Sequence, residues 1–300
     1  MSKRTPILID CDGGLDCLWG LSTAAASPDL ELRAVTVSAG KYSAEQSFSN
    51  AAGYAALLGL DCRLAKGSER SVLLGAKPCW SKTGPDGKLG ADLPAGKPYE
   101  QAYAWDVLHE EAVKAAGELV VLCFGPMTNL AIALFKHEDL APLIKQVVFV
   151  GGSYDYGNYT SVVEINMATD PEAGRALFRS GIPMTMIGWN AQLAGALSAE
   201  QISSIASNTA LGRLFPAFAD AAGGVCGPAL AVSALAPGGP VGFHRYHVTM
   251  ETKSSLCRGR TTPLNMYSPR GFTENADVAM TVDTGVFAGI LANAVGAFGR

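Results

Sequence analysis

The chain has 300 residues, 48% of them hydrophobic and only 17% charged, with a formal net charge of −4; it is long enough for one large α/β domain or two smaller ones. The 23 basic residues form no run and are outnumbered by 27 acidic ones, which excludes a nucleic-acid footprint. Seven scattered cysteines without a CxxC pair exclude a zinc ribbon or disulfide framework, and neither an apolar signal region after Met1 nor a membrane span is visible. A reduced, soluble, cytoplasmic protein is expected.

In chain order, PILIDCD reads as a buried strand, LDCLWGLSTAAAS as a helix ended before Pro28, and LRAVTVSAG as a second strand. AEQSFSNAAGYAALLGL is a strong helix closed by Gly59, and the Gly-, Pro- and Lys-rich stretch from Gly75 to Pro98 reads as a long loop. ELVVLCFG, QVVFVGG and MTMIGWN are further continuous apolar strands, with helices PMTNLAIALFKH and DPEAGRALFRSG between them. Such strands separated by helices predict an α/β fold: an open, mostly parallel central sheet flanked by helices. Ligands of that architecture sit beyond the carboxyl ends of the strands, here DCDGG, SAGK, FGPMTN, GGSYDYGN and GWNAQ.

Two of these ends carry chemistry. The first delivers Asp10 and Asp12 on one side of the backbone into Gly13-Gly14, with Asp16 just beyond. Three carboxylates in seven residues suit a cation or a proton transfer; the plainer alternative is a helix N-cap with solvated acids. Further on, GNYTSVVEINMATDPEA presents Asn158, Glu164 and Asn166. In an extended segment Glu164 and Asn166 point the same way, offering the acceptors and donors that vicinal sugar hydroxyls require; ordinary surface polarity is the alternative.

Together these stretches resemble the inosine-uridine nucleoside hydrolases, the N-ribohydrolases. The family's opening DxDPGxDDA is matched by Asp10 to Cys17, its TGPLTN turn by Phe124 to Asn129, its GGxxxxGNxxxxxEFNxxxDPEAA stretch by Gly151 to Ala173, and its RGxT by Arg258 to Thr261. The resemblance covers almost the whole chain and implies one nucleoside hydrolase-like domain over residues 1–300. It also implies a homodimer or homotetramer, a small-molecule riboside as substrate, a place in purine or pyrimidine salvage, and neither nucleic acid nor membrane as partner. Family members hold the ribose 2′- and 3′-hydroxyls and a water on calcium, and an aspartate deprotonates that water for attack on the anomeric carbon. Carried over, Asp12 is the general base and Asp10 its catalytic neighbour in the metal site. Asp16, Asn158, Glu164 and Asn166 hold the sugar, and Phe124 offers its backbone carbonyl to the metal.

Four positions depart from the pattern. Cys17 replaces the second aspartate of the DD pair, Cys226-Gly227-Pro228 replaces HDP, Lys41 replaces the asparagine after strand two, and Thr83 replaces the histidine of HGxDG. Losing carboxylates at 17 and 227 removes two negative charges, the charge that a departed calcium would have balanced. Lys41 adds an ammonium among the remaining carboxylates, where it relieves their mutual repulsion; as an ordinary surface lysine it would do nothing of the kind. No ion, or a weakly bound calcium, is therefore expected. A softer metal on Cys17 and Cys226 is the lesser alternative, since buried cysteines more often simply pack. Trp80 and Trp189 are placed to stack on a base or to lid the core. Tyr154, Tyr156 and Tyr159 are open candidates for protonating the leaving group. Two functions follow: an N-glycosidic hydrolase with an altered site, or a non-catalytic riboside- or polyol-binding member of the fold.

Overall fold

The structure is a computed structural model that describes residues 4–73, 83–264 and 272–298. Strands rich in buried apolar residues are β1 (Thr5–Cys11), β2 (Leu30–Val37), β3 (Arg63–Lys66), β4 (Leu119–Cys123), β5 (Ile144–Val150) and β6 (Met184–Ile187), with β4 and β6 buried along their whole length. The helices between them are α1 (Leu15–Ala26), α2 (Ala44–Leu57), α3 (Ala104–Ala115), α4 (Thr128–Lys136), α5 (Ile165–Thr169) and α6 (Pro171–Phe178). After β6 come α7 (Trp189–Ala194), α8 (Ala199–Ile205), α9 (Ala210–Ala222) and α10 (Gly227–Ser233), then β7 (Val241–Met250), β8 (Thr261–Leu264), β9 (Ala276–Val282) and α11 (Thr284–Ala297).

The nine strands form one sheet in the order β3-β2-β1-β4-β5-β6-β9-β7-β8. Neighbours from β3 to β9 are parallel, whereas β7 is antiparallel to both β9 and β8. Growth of the sheet changes direction at β1: β2 and β3 are added on one side, β4, β5 and β6 on the other. The crevice at such a reversal, beyond the carboxyl ends, is where open α/β sheets bind ligands.

Apolar layers cover both faces. One gathers Trp19, Phe215, Phe218 and Phe287, with the Trp19 and Phe215 rings edge to face at 5.0 Å. The other gathers Leu108, Leu130, Phe149 and Phe178. In α9, Leu211, Phe215 and Phe218 are buried in the first layer. The expected strand MTMIGWN ends at Ile187, and Trp189 already opens α7. His244 and His247 lie on β7. No single helix among the described residues is long and apolar enough to cross a membrane. The described part of the long loop crosses the starts of α1 and α2: Leu15 N–H donates to the Gly87 carbonyl (3.1 Å) and Asn50 Nδ2 to the Asp86 carbonyl (2.7 Å).

Candidate active site

The site grows from the register of three strands. Asp10 of β1 lies opposite Thr36 of β2 and Cys123 of β4. Register brings the Thr36 hydroxyl to the Asp10 carboxylate, to which it donates at 2.7 Å (Oγ1 to Oδ1). Asn129, in the first turn of α4, donates its Nδ2 to the same Oδ1 at 2.7 Å while its own Oδ1 accepts from Ser68 N–H. The other oxygen, Asp10 Oδ2, is buried without a partner. Burial pushes the Asp10 carboxyl up to about 7 against those two donors.

Asp12 lies where β1 turns toward α1. Its carbonyl accepts from the Ser47 hydroxyl at 2.7 Å, which ties the turn to α2. The turn passes through Gly13 with φ of 71°, a left-handed conformation that favours glycine, and a Cβ there would stand 2.4 Å from the Ser47 backbone. Asp12 Oδ1 is approached by Gly14 N–H at 3.4 Å and the Cys17 thiol at 3.8 Å. Asp12 Oδ2 is buried with no partner among the described residues. Asp12 is no helix cap, because the N-cap of α1 is Gly14 and no side chain caps it.

Lys41 follows β2, and its side chain is 23% exposed. Its Nζ lies 3.9 Å from Asp16 Oδ2, so it is an ion-paired group and not a freely solvated one. The charge of Asp16, seconded by Asp12, holds the ammonium above its ordinary pKa although burial opposes. Burial pushes the Asp16 carboxyl up, and Lys41 opposes that shift. The Cys17 thiol is driven well above its usual value, first by a hydrogen bond with Cys11 and then by burial, and so remains protonated.

Glu164 and Asn166 lie together, but not in the extended segment expected for them. Glu164 is the N-cap of α5 and Asn166 belongs to its first turn, because the carboxylate satisfies the helix's otherwise unpaired N–H groups. Glu164 Oε2 accepts from Gly152 (3.0 Å), Asn166 (2.9 Å) and Met167 (3.2 Å) N–H groups. Burial still pushes Glu164 up to about 7, and the Lys41 charge works the other way. Asn166 Nδ2 donates to the carbonyls of Phe124 (3.2 Å) and Val150 (2.9 Å), which joins the ends of β4 and β5. The Phe124 carbonyl expected as a metal ligand therefore already accepts one hydrogen bond.

Asn158 is exposed, and its Oδ1 accepts from Ile165 N–H at 2.9 Å, fastening the preceding loop onto α5. Trp189 is half-buried at the start of α7, with its N–H donated to the Gly152 carbonyl at 2.8 Å. Trp80 lies outside the described residues. Thr261 of the RGxT stretch accepts from Ser153 N–H at 2.8 Å and donates to the Ser153 carbonyl at 2.6 Å. Arg258 of the same stretch pairs with Glu172 in α6. Cys226 is buried, and the carboxylate–thiol cluster with ligand atoms mutually within 4.8 Å comprises Asp12, Asp16 and Cys17 without it. Sequence reasoning assigned no role to Thr36, Asn129, Ser47 or Gln192, all of which hold the site's backbone or carboxylates. A polar Thr36 inside an apolar strand was the one local signal.

The family model described as inosine-uridine preferring nucleoside hydrolase matches residues 7–289. The pyrimidine-specific ribonucleoside hydrolase RihA of Photobacterium profundum is 35% identical over 204 residues, 67% of this chain and 65% of that protein. The non-specific ribonucleoside hydrolase RihC of Klebsiella pneumoniae is 28% identical over 93% of this chain and 94% of its own length. Among solved structures, a purine-preferring ribonucleoside hydrolase from Gardnerella vaginalis superposes with a TM-score of 0.88 at 27% identity, covering 97% of this chain and 98% of that one.

Proposed function

Since the chain belongs to the inosine-uridine preferring nucleoside hydrolase family, we propose that it hydrolyses the N-glycosidic bond of a ribonucleoside or related riboside at the β1–β4 crevice, without a calcium ion. The observation that carries the reading is Asp12: a buried carboxylate with one oxygen unpartnered, at the topological switch point, beside an ion-paired Asp16. An unpartnered buried carboxylate oxygen is costly unless a ligand or water completes it. An attacking water would do so, giving up its proton to Asp12 as its oxygen bonds to the anomeric carbon. The glycosidic C–N bond would break with its electron pair on the base, which takes up a proton from solvent. Asp16, Glu164, Asn166 and Asn158 supply the acceptors and donors for the ribose hydroxyls, and Trp189 and Trp80 would border the base.

Calcium takes six to eight oxygen ligands and prefers carboxylates, carbonyls and water. Here the cluster beside Asp12 ends in a protonated thiol, position 227 has no side chain, and an ammonium stands 3.9 Å from Asp16. This donor set does not fit calcium, and no step of the proposed reaction passes through one.

The test is ribose release from a panel of purine and pyrimidine nucleosides, run in calcium and again in chelator. Turnover in both buffers is expected. Turnover confined to the calcium buffer would overturn the calcium-free reading. No turnover in either, with nucleosides or ribose still bound in calorimetry, would favour the non-catalytic binder, the alternative suggested by the replaced carboxylates.

A further inference from the structure

We propose that the Lys41 ammonium is the resident cation of this site, standing in for a divalent ion by pairing with the carboxylates and meeting the sugar hydroxyls. The part concerning sugar rests on the hydrolase reading above; the part concerning the cation does not.

Three independent observations point there. The first is position. Lys41 Nζ forms its ion pair with Asp16, and its charge also acts on Glu164. Asp16 and Asp12 leave the end of β1, Lys41 that of β2, and Glu164 follows that of β5. One ammonium from the β2 end thus sits among acidic groups that follow β1 and β5. The second is the environment it faces. Asp12 Oδ2 is buried with no partner among the described residues, in a residue that is 1% exposed. Such an oxygen needs a donor or a cation nearby.

The third observation concerns position 227, where the family pattern has an aspartate. A Cβ on Gly227 would stand 2.5 Å from Gln192 Oε1 and 2.9 Å from Val150 Cγ1. Gln192 is buried and held by its Nε2 donating to the Ile187 carbonyl at 3.0 Å. The space into which a carboxylate would project is therefore filled by a fixed side chain. The altered site is repacked around the loss, and is not merely missing a ligand.

The chemistry of an ammonium fits this place. It is a compact cation with three donors, so it can neutralise Asp16 and still donate to a hydroxyl. It cannot act as a Lewis acid on water, so proton removal falls to Asp12.

The experiment uses the full chain after chelator treatment and reads calcium binding by calorimetry and by the calcium dependence of Tm. The wild type is expected to show neither heat nor a Tm shift at millimolar calcium. Lys41→Met is expected to gain a calcium-dependent rise in Tm, because the carboxylates lose their counter-charge. Lys41→Asn repeats the test with a polar side chain should the methionine variant not fold. Calcium binding by the wild type, or no gain in either variant, would overturn the proposal. Where turnover is measurable in chelator, Lys41→Met should lower kcat/KM on the order of 100- to 1,000-fold. An unchanged kcat/KM would overturn the role toward substrate. A protein silent on every nucleoside that nonetheless shows this calcium behaviour would sink the hydrolase reading and leave Lys41 as the resident cation.

Discussion

Asp10 and Asp12 are two residues apart at the end of one strand, and their companions make them different acids. Asp10 receives two side-chain donors on one oxygen, an arrangement that anchors the group. Asp12 is met only by a long Gly14 contact and a thiol, which leaves its second oxygen available to a ligand. Asp12→Asn should therefore lower turnover on the order of 10²- to 10⁴-fold, the range for removal of a general base. Its Tm should not fall, because the variant removes a buried charge whose oxygen has no partner. Turnover within tenfold of wild type would assign the base elsewhere. The three aspartates were legible in the sequence as a carboxylate cluster. The Thr36 and Asn129 that differentiate them were not, because the bonds run across 26 and 119 residues of chain and depend on strand register. Lys41 was legible as a charge at a strand end, but only the folded chain shows which carboxylate it meets.

At the scale of elements, the turns after β1, β2 and β4 converge on Asp12 with no room to spare. A Cβ on Gly40 would stand 2.7 Å from Asp12 Cβ and 2.8 Å from its Oδ2, and one on Gly125 would stand 2.9 Å from Asp12 Cβ. Those two turns form the walls that fix the carboxylate's direction. Gly40→Ala should push the Asp12 side chain aside and lower kcat by about 100-fold, the effect of misplacing a reacting group by roughly an ångström. The fold should survive, since Gly40 does not have a positive φ. Circular dichroism unchanged with kcat lowered is the expected pair of results; unchanged kcat would mean that the wall is not what orients Asp12. Helix starts were harder to read than helices. The stretch through Glu164 and Asn166 reads in sequence as an extended segment with both side chains on one side, yet its geometry is that of a capped helix. Glu164 spends one oxygen on three backbone N–H groups, a bond pattern with no periodic signature in the five residues of α5.

For the whole molecule, the centre of the parallel sheet, β1, β2, β4, β5 and β6, was legible because these strands carry apolar runs, whereas β3 and β9, also parallel, are not among the expected strands. The antiparallel margin was not: β7 carries His244, Arg245 and His247 and is exposed over much of its length, so it lacks that signature. The consequence of burying carboxylates at the ends of the parallel strands reaches the stability of the entire chain. Asp10 and Glu164 are each pushed up to about 7 by burial, against an ordinary value near 4. The folded chain thus holds these two protons more tightly than the unfolded chain does. Between those values, stability must fall as pH rises, by up to about 1.4 kcal/mol per pH unit for each proton by which the two states differ. Ion-paired carboxyls away from the site, such as Asp106, Glu111 and Asp139, are shifted the other way. Their contribution is complete above the ordinary carboxylate range and is lost only on acidification below it, so they leave the slope near neutrality unchanged. Lys41, held above its usual value, loses its contribution only in strong alkali. Denaturant unfolding in chelator should therefore give a lower midpoint at pH 8 than at pH 6, and the difference should shrink in Asp10→Asn and in Glu164→Gln. A midpoint that is flat or rises over this interval would show that neither carboxyl retains its proton in the fold. The acids at the crevice would then be ionised throughout, and Lys41 would have to balance more negative charge than the structure assigns to it.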